Sequence, residues 1–134
     1  MRKVKNCCII DDDPIFIYGT KRIMKEIEFS EKLTIYNNGE DALNGLKESF
    51  KLTKYLPEII FLDLNMPIMN GWEFLDQFSE FPDHNNAKTI IYIISSSVDP
   101  RDLERVKNYK LVNNYILKPI TPNDLEFVLN ITAV

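Results

Sequence analysis

The chain has 134 residues, 45% of them hydrophobic, with 16 basic and 20 acidic side chains and a net charge of -4. That length suits one domain around one core. No window approaches the roughly 20 apolar residues of a membrane span, MRKVKNCCII is too short for a signal peptide and lacks a small-residue cleavage site, and no run of Lys and Arg marks a nucleic-acid footprint. The chain is therefore expected to stay in the cytoplasm, with no membrane insertion and no direct nucleic-acid partner.

The first apolar run, Lys5 to Ile10 (KNCCII), reads as a strand. Its adjacent cysteines, Cys7 and Cys8, should face opposite sides of a sheet, too poorly placed to bond each other or share a metal, and read as buried thiols of a reducing compartment. Asp11-Asp12-Asp13 comes next. Asp13-Pro14 is an N-cap with proline at the first helical position, leading into Ile15-Phe16, Ile23-Met24 and Ile27. Lys32 to Tyr36 (KLTIY) is a second strand. Asn38-Gly39 is compatible with a hairpin turn, but Ala42, Leu43 and Leu46 recur at three and four, so a helix is expected instead. Glu58 to Leu62 (EIIFL) is a third strand, ending at Asp63 and a loop through Met66-Pro67 to Gly71, where glycine is expected to permit a tight exit into a third helix. The stretch Phe78 to Lys88 holds the single histidine, His84, read as a surface loop residue. Lys88 to Ile94 (KTIIYII) is a fourth strand running into Ser95-Ser96-Ser97. Asp99-Pro100 caps a helix carrying Leu103 and Val106, with acids in its first turn where the helix dipole favours them. Asn113 to Leu117 (NNYIL) is a fifth strand ending in Lys118-Pro119, and Thr121-Pro122 opens a helix with Leu125, Val128 and Leu129.

Five strands alternating with five helices imply right-handed βαβ units and a parallel sheet covered on both faces, an α/β architecture. A central parallel strand has no wet face, which accounts for the continuous apolar runs. Ligands of such sheets bind beyond the carboxyl ends of the strands. Those ends hold Asp11 to Asp13, Asp63, the three serines and Lys118. Carboxylates about 4–5 Å apart repel by roughly 3–4 kcal/mol per pair at an effective dielectric near 20. A hard divalent cation is the natural counter-charge, and an oxygen-only donor set suits Mg²⁺ or Mn²⁺.

IIDDDP, NNGEDAL, FLDLNMPIMNGWEFL, YIISSSVDP and YILKPITP occur in this order, four of them at strand ends. Together they give the chain a resemblance, over essentially its whole length, to the receiver domains of two-component response regulators, in particular single-domain chemotaxis-type receivers. The resemblance implies a doubly wound, flavodoxin-like (βα)5 three-layer sandwich with strand order 2-1-3-4-5. It implies that Asp63 is the phosphoacceptor and that Asp11 and Asp12 hold Mg²⁺, together with Asp63 and the backbone carbonyl of Asn65. Ser95 and Lys118 then contact phosphoryl oxygens, and Tyr115 is the aromatic switch. The bond between Lys118 and Pro119 is expected to be cis. Ser95 stands where threonine is frequent, and Asn65 and Ser97 occupy positions that tune dephosphorylation. Ser96 competes with Ser95 because three serines allow the register to slip.

The implied partners are a histidine kinase or histidine phosphotransfer protein as donor, and a downstream protein target on the face of the fourth helix, fifth strand and fifth helix. The chain is expected to be a signalling phosphoacceptor rather than an enzyme acting on other substrates. The sequence ends soon after the fifth helix, so residues 1–134 are expected to form one receiver domain with no output domain. Two other readings stand beside this one. Asp11-x-Asp13 after an apolar strand resembles the nucleophile motif of haloacid-dehalogenase-like phosphatases, and a receiver-like fold that is never phosphorylated serves only as a binding module.

Overall fold

A computed structural model describes residues 3–81, 89–96 and 99–132. Its elements alternate without exception: β1 (Val4–Ile10), α1 (Pro14–Glu26), β2 (Ser30–Tyr36), α2 (Gly39–Thr53), β3 (Ile59–Asp63), α3 (Gly71–Phe78), β4 (Ile90–Ser95), α4 (Pro100–Val106), β5 (Val112–Leu117) and α5 (Pro122–Thr132). Every strand pair is parallel and the order is β2-β1-β3-β4-β5, as expected for the doubly wound sandwich. β2 begins two residues before the apolar run that marks it in the sequence, because Ser30 and Glu31 extend its pairing with β1. Lys88, the expected start of the fourth strand, and the loop carrying His84 lie outside the described residues, as does Ser97.

The sheet divides the core in two. Cys7, Ile9, Phe61 and Tyr92 face α1 and α5, whereas Cys8, Ile10, Leu62 and Ile93 face α2 and α3. The adjacent cysteines thus lie on opposite faces, both fully buried, and burial pushes the thiols up, that of Cys8 beyond the range in which it ionises.

Each helix start is specified locally. Asp13 accepts from Ile15 N–H at 3.0 Å, Asn38 from Asp41 N–H at 2.8 Å and Asp99 from Arg101 N–H at 2.9 Å. Asn70 and Glu73 form a reciprocal capping box on α3, and Thr121 with Asp124 does the same on α5. Beyond their caps the helices differ in burial: α3 buries Phe74, Leu75 and Phe78, whereas α4 buries no residue.

The exit from β3 is tight at Gly71, as expected, and the tightness is one of close approach. Gly71 has no positive φ; it is small because a Cβ there would lie 2.7 Å from the Asp63 carbonyl oxygen and the Leu64 Cα. The left-handed turn falls instead on Ile68, at φ 71° and mostly exposed, an unfavourable conformation for a β-branched side chain.

Candidate functional site

β1 and β3 are neighbours at the point where strand order reverses, so their carboxyl ends open side by side. The two strands finish in acids: Asp11 follows Ile10 and is fully buried, Asp63 is the last residue of β3 and 5% exposed, and Asp12 is exposed above them. One carboxylate oxygen from each of Asp11, Asp12 and Asp63 lies within 4.8 Å of the others. Asp13, which completes the D-x-D pattern, is not among them; its carboxylate is spent on the α1 cap.

Lys118 reaches the same point from the end of β5. Its Nζ lies 2.8 Å from Asp11 Oδ2 and 3.8 Å from Asp63 Oδ2. The closer contact is one of charge, without hydrogen-bond geometry, so Asp11 Oδ2 is a buried acceptor with no hydrogen bond. The Lys118-Pro119 bond is cis. Phe16, in the first turn of α1, places its ring 4.5 Å beneath the ammonium, a favourable cation-π arrangement. In the sequence Phe16 looked like any apolar helix residue, and no local signal marks a ring that will sit under a lysine about 100 residues later.

Ser95 ends β4 next to this cluster, since Asp63 pairs with Ile94 across the sheet. It is 4% exposed whereas Ser96 is exposed, so only the first of the serines is enclosed by the strand ends. The Lys118 amide donates to the Ser95 carbonyl at 2.8 Å, tying the ends of β4 and β5 together. Asn65 donates its backbone N–H to Asp63 Oδ1 at 3.4 Å. Tyr115 is half-buried on the α3/α4 side of β5, paired with Ile93, and its amide donates to the Asn114 side chain at 2.8 Å.

The electrostatics match a site built for a cation. Burial and the neighbouring Asp11 carboxylate lift the Asp63 pKa to about 6, against the opposing pull of Lys118 and the Asn65 amide. Three carboxylates facing one ammonium leave a surplus of two negative charges when all are ionised. All-oxygen donors, a buried acceptor without a hydrogen bond and that surplus fit a hard divalent ion such as Mg²⁺.

Comparison with known proteins agrees with the fold. Residues 7–130 match the family model described as "Response regulator receiver domain". The nitrate/nitrite response regulator protein NarL of Escherichia coli K12 is 30% identical over 117 residues, which cover 87% of this chain and 49% of that protein. The chain spans about half the length of the first curated relatives it matches. A two-component response regulator from Cytophaga hutchinsonii superposes with a TM-score of 0.89 at 33% identity, covering 98% of each chain. The chemotaxis protein CheY4 of Vibrio cholerae shares the fold at a TM-score of 0.73 and 19% identity, covering 96% of this chain and 98% of that one. No helix among the described residues is long and apolar enough to cross a membrane. With nearly the whole chain matched and the acids converging at the switch point of a β2-β1-β3-β4-β5 sheet, this protein belongs to the response regulator receiver domain family of two-component systems.

Proposed function

We propose that Asp63 accepts a phosphoryl group from a phosphohistidine on a partner, a histidine kinase or histidine phosphotransfer protein. The observation that carries this reading is the convergence of Asp11, Asp12, Asp63 and Lys118, drawn from three strand ends across more than 100 residues. The chain has a single histidine, His84, read from the sequence as a surface loop residue, which supports a donor on another chain.

In this reading an Asp63 carboxylate oxygen attacks phosphorus in line as the P–N bond to the donor imidazole breaks. The departing nitrogen takes the bond's electron pair and is protonated by solvent, and Asp63 becomes an acyl phosphate. Asp11, Asp12 and Asp63, with the Asn65 backbone carbonyl, hold Mg²⁺ (Mn²⁺ being an alternative), which when bound screens the carboxylates from one another and offsets charge on the phosphoryl oxygens. Lys118 supplies a second positive charge, held in position by Asp11 and the Phe16 ring. Ser95 donates its hydroxyl to a phosphoryl oxygen. The protein's contribution is placement and charge, as a loose transition state requires.

Residues 1–134 act in this proposal as one receiver unit and a self-directed phosphoacceptor. Movement of Ser95 toward the new phosphoryl group makes room for Tyr115 and alters the face of α4, β5 and α5, where a downstream protein docks. A partner reads the change only if it binds the two forms with different affinity.

The test is the intact mass of the protein after incubation with Mg²⁺ and acetyl phosphate or phosphoramidate. One added phosphoryl group that disappears in Asp63→Asn supports the proposal. Label kept in Asp63→Asn but lost in Asp11→Asn supports a haloacid-dehalogenase-like phosphatase, and no label under any condition supports a binding module that is not phosphorylated.

A further inference from the structure

The two edges of the sheet are not equivalent. β5 carries an extra residue, Asn113, against the Ile91-Tyr92 step of β4, and such a bulge blunts an edge against further pairing. β2 keeps one register with β1 from Ser30 to Tyr36, and among the described residues no strand lies beyond it. Tyr36 turns its carbonyl toward β1, where it accepts from Asp11 N–H at 3.1 Å. Alternation along a parallel strand then sends the backbone N–H and C=O groups of Leu33 and Ile35 outward.

One groove adjoins this edge on the α1 face, and a second opens on the α2 face at the amino-terminal end of the sheet, reaching the edge at Lys32. On the α1 side a groove of about 670 Å³ is lined by Tyr18, Lys21, Arg22 and Lys25, with Glu26 and Glu31. On the α2 side a groove of about 800 Å³ is lined by Tyr55, Lys3, Lys5 and Lys32, with Glu58. Each groove combines three cations with one tyrosine, Tyr18 being 69% and Tyr55 75% exposed. Together they carry six basic and three acidic side chains, an excess of three positive charges on a chain whose net charge is -4. The Arg22–Glu26 and Lys3–Glu28 contacts, at 3.6 and 3.7 Å between exposed groups, hold their cations only weakly.

From this we infer that the outer edge of β2 is a docking strand for an extended acidic segment of a partner protein, which adds to the sheet as a sixth strand. Its backbone pairs with Leu33 and Ile35. Its side chains alternate between the two grooves, because successive residues of a strand point to opposite faces. Acidic side chains among them meet the lysines and Arg22, and apolar ones lie against Tyr18 and Tyr55. The same lysines repel a second copy of this edge and other basic strands, so charge selects the partner as well as attracting it. The outward row of peptide groups favours a peptide over a single-stranded nucleic acid, which offers no matching backbone donors. This surface lies away from Asp63 and does not depend on its chemistry.

The experiment is a titration of the isotope-labelled protein with an octapeptide of two Glu-Glu-Val-Val repeats, which presents acidic and apolar side chains to both grooves, monitored by amide NMR and hydrogen exchange. Expected are shifts confined to β2 and the two grooves, and exchange at Leu33 and Ile35 slowed by about tenfold or more at saturation. The variant carrying Lys21→Glu, Lys25→Glu and Lys32→Glu, all exposed positions, should bind about tenfold or more weakly while accepting phosphoryl groups from acetyl phosphate at an unchanged rate. No shift at about 1 mM peptide, shifts centred on another surface, undiminished binding by the charge-reversed variant, or tighter binding of oligo-dT than of the peptide would each overturn the inference.

Discussion

α3 and α4 come after adjacent strands, yet they are held in opposite ways. α3 is fastened at both levels: its capping box closes the first turn, and Phe74, Leu75 and Phe78 enter the core, Phe74 and Phe78 stacking at 5.4 Å. α4 has no fully buried residue, only Val106 lying partly buried against the core, and is tied to α3 from outside. Arg105 lies 4.2 Å over the Trp72 ring, and Tyr109, just past the end of α4, donates its hydroxyl to Asp76 at 2.6 Å. The helix after Asp63 is thus anchored by full core burial, whereas the helix after Ser95 rests on a partly buried Val106 and on surface contacts that break and re-form at small cost. In the proposed function this division is useful, since the nucleophile needs a fixed position and the output face needs an element that can move.

The largest test of the contrast is Phe74→Ala, expected to cost about 3–5 kcal/mol in urea unfolding through lost burial and a residual cavity. A cost below about 1 kcal/mol would mean that α3 is not core-anchored. Gly71→Ala comes next. A Cβ 2.7 Å from the Asp63 carbonyl forces backbone movement, so a loss of about 1–3 kcal/mol is expected, with slower labelling of Asp63 by acetyl phosphate.

The charge at the head of the α3 arm gives a pH-dependent effect. The folded pKa of Asp63 is about 6, raised from 3.8, so the fold favours the protonated acid. The contribution to stability is present below about pH 4 and is lost as pH rises through about 6. Asp63→Asn should therefore melt higher than the parent protein at pH 7.5, by about 1–2 kcal/mol after allowance for screening. The gain should vanish by pH 4, and an equal gain at both pH values would show that charge is not its cause.

The smallest effect belongs to the clasp. Arg105→Ala and Tyr109→Phe should each cost under about 1 kcal/mol in global stability. They should nonetheless speed amide exchange in α4 and leave α3 unchanged. Trp72 is the single tryptophan, so a shift in its emission on Arg105→Ala reports the clasp directly. Unaltered exchange in α4 would place its anchorage elsewhere.

Much of the fold was legible because its causes are local. The caps at Asp13, Asn38 and Asp99 name helix starts by hydrogen bonds spanning two or three residues. The unbroken apolar runs of β1, β3 and β4 mark strands buried on both faces. β2 was read short because its first residues are polar and its burial is partial throughout. The acids at Asp11, Asp12 and Asp63 stood out because carboxylates at the ends of buried strands need a reason. Phe16 beneath Lys118, the Arg105–Trp72 stack and the Tyr109–Asp76 bond carried no such mark, since each joins ordinary residues from different elements. Gly71 marks a tight exit from β3, and the tertiary structure shows that its requirement is close approach to the β3 backbone.

The order of polar caps and apolar runs was enough to determine the alternating elements, the two-sided burial of the sheet and the chemical character of its carboxyl edge, because each depends on residues close together in the chain. Only the tertiary structure decided which acids meet within 4.8 Å, that Lys118 stands against Asp11 as well as Asp63, and that β2 keeps an open edge between two basic grooves. Those outcomes depend on strand order and register, which bring together residues the chain keeps far apart.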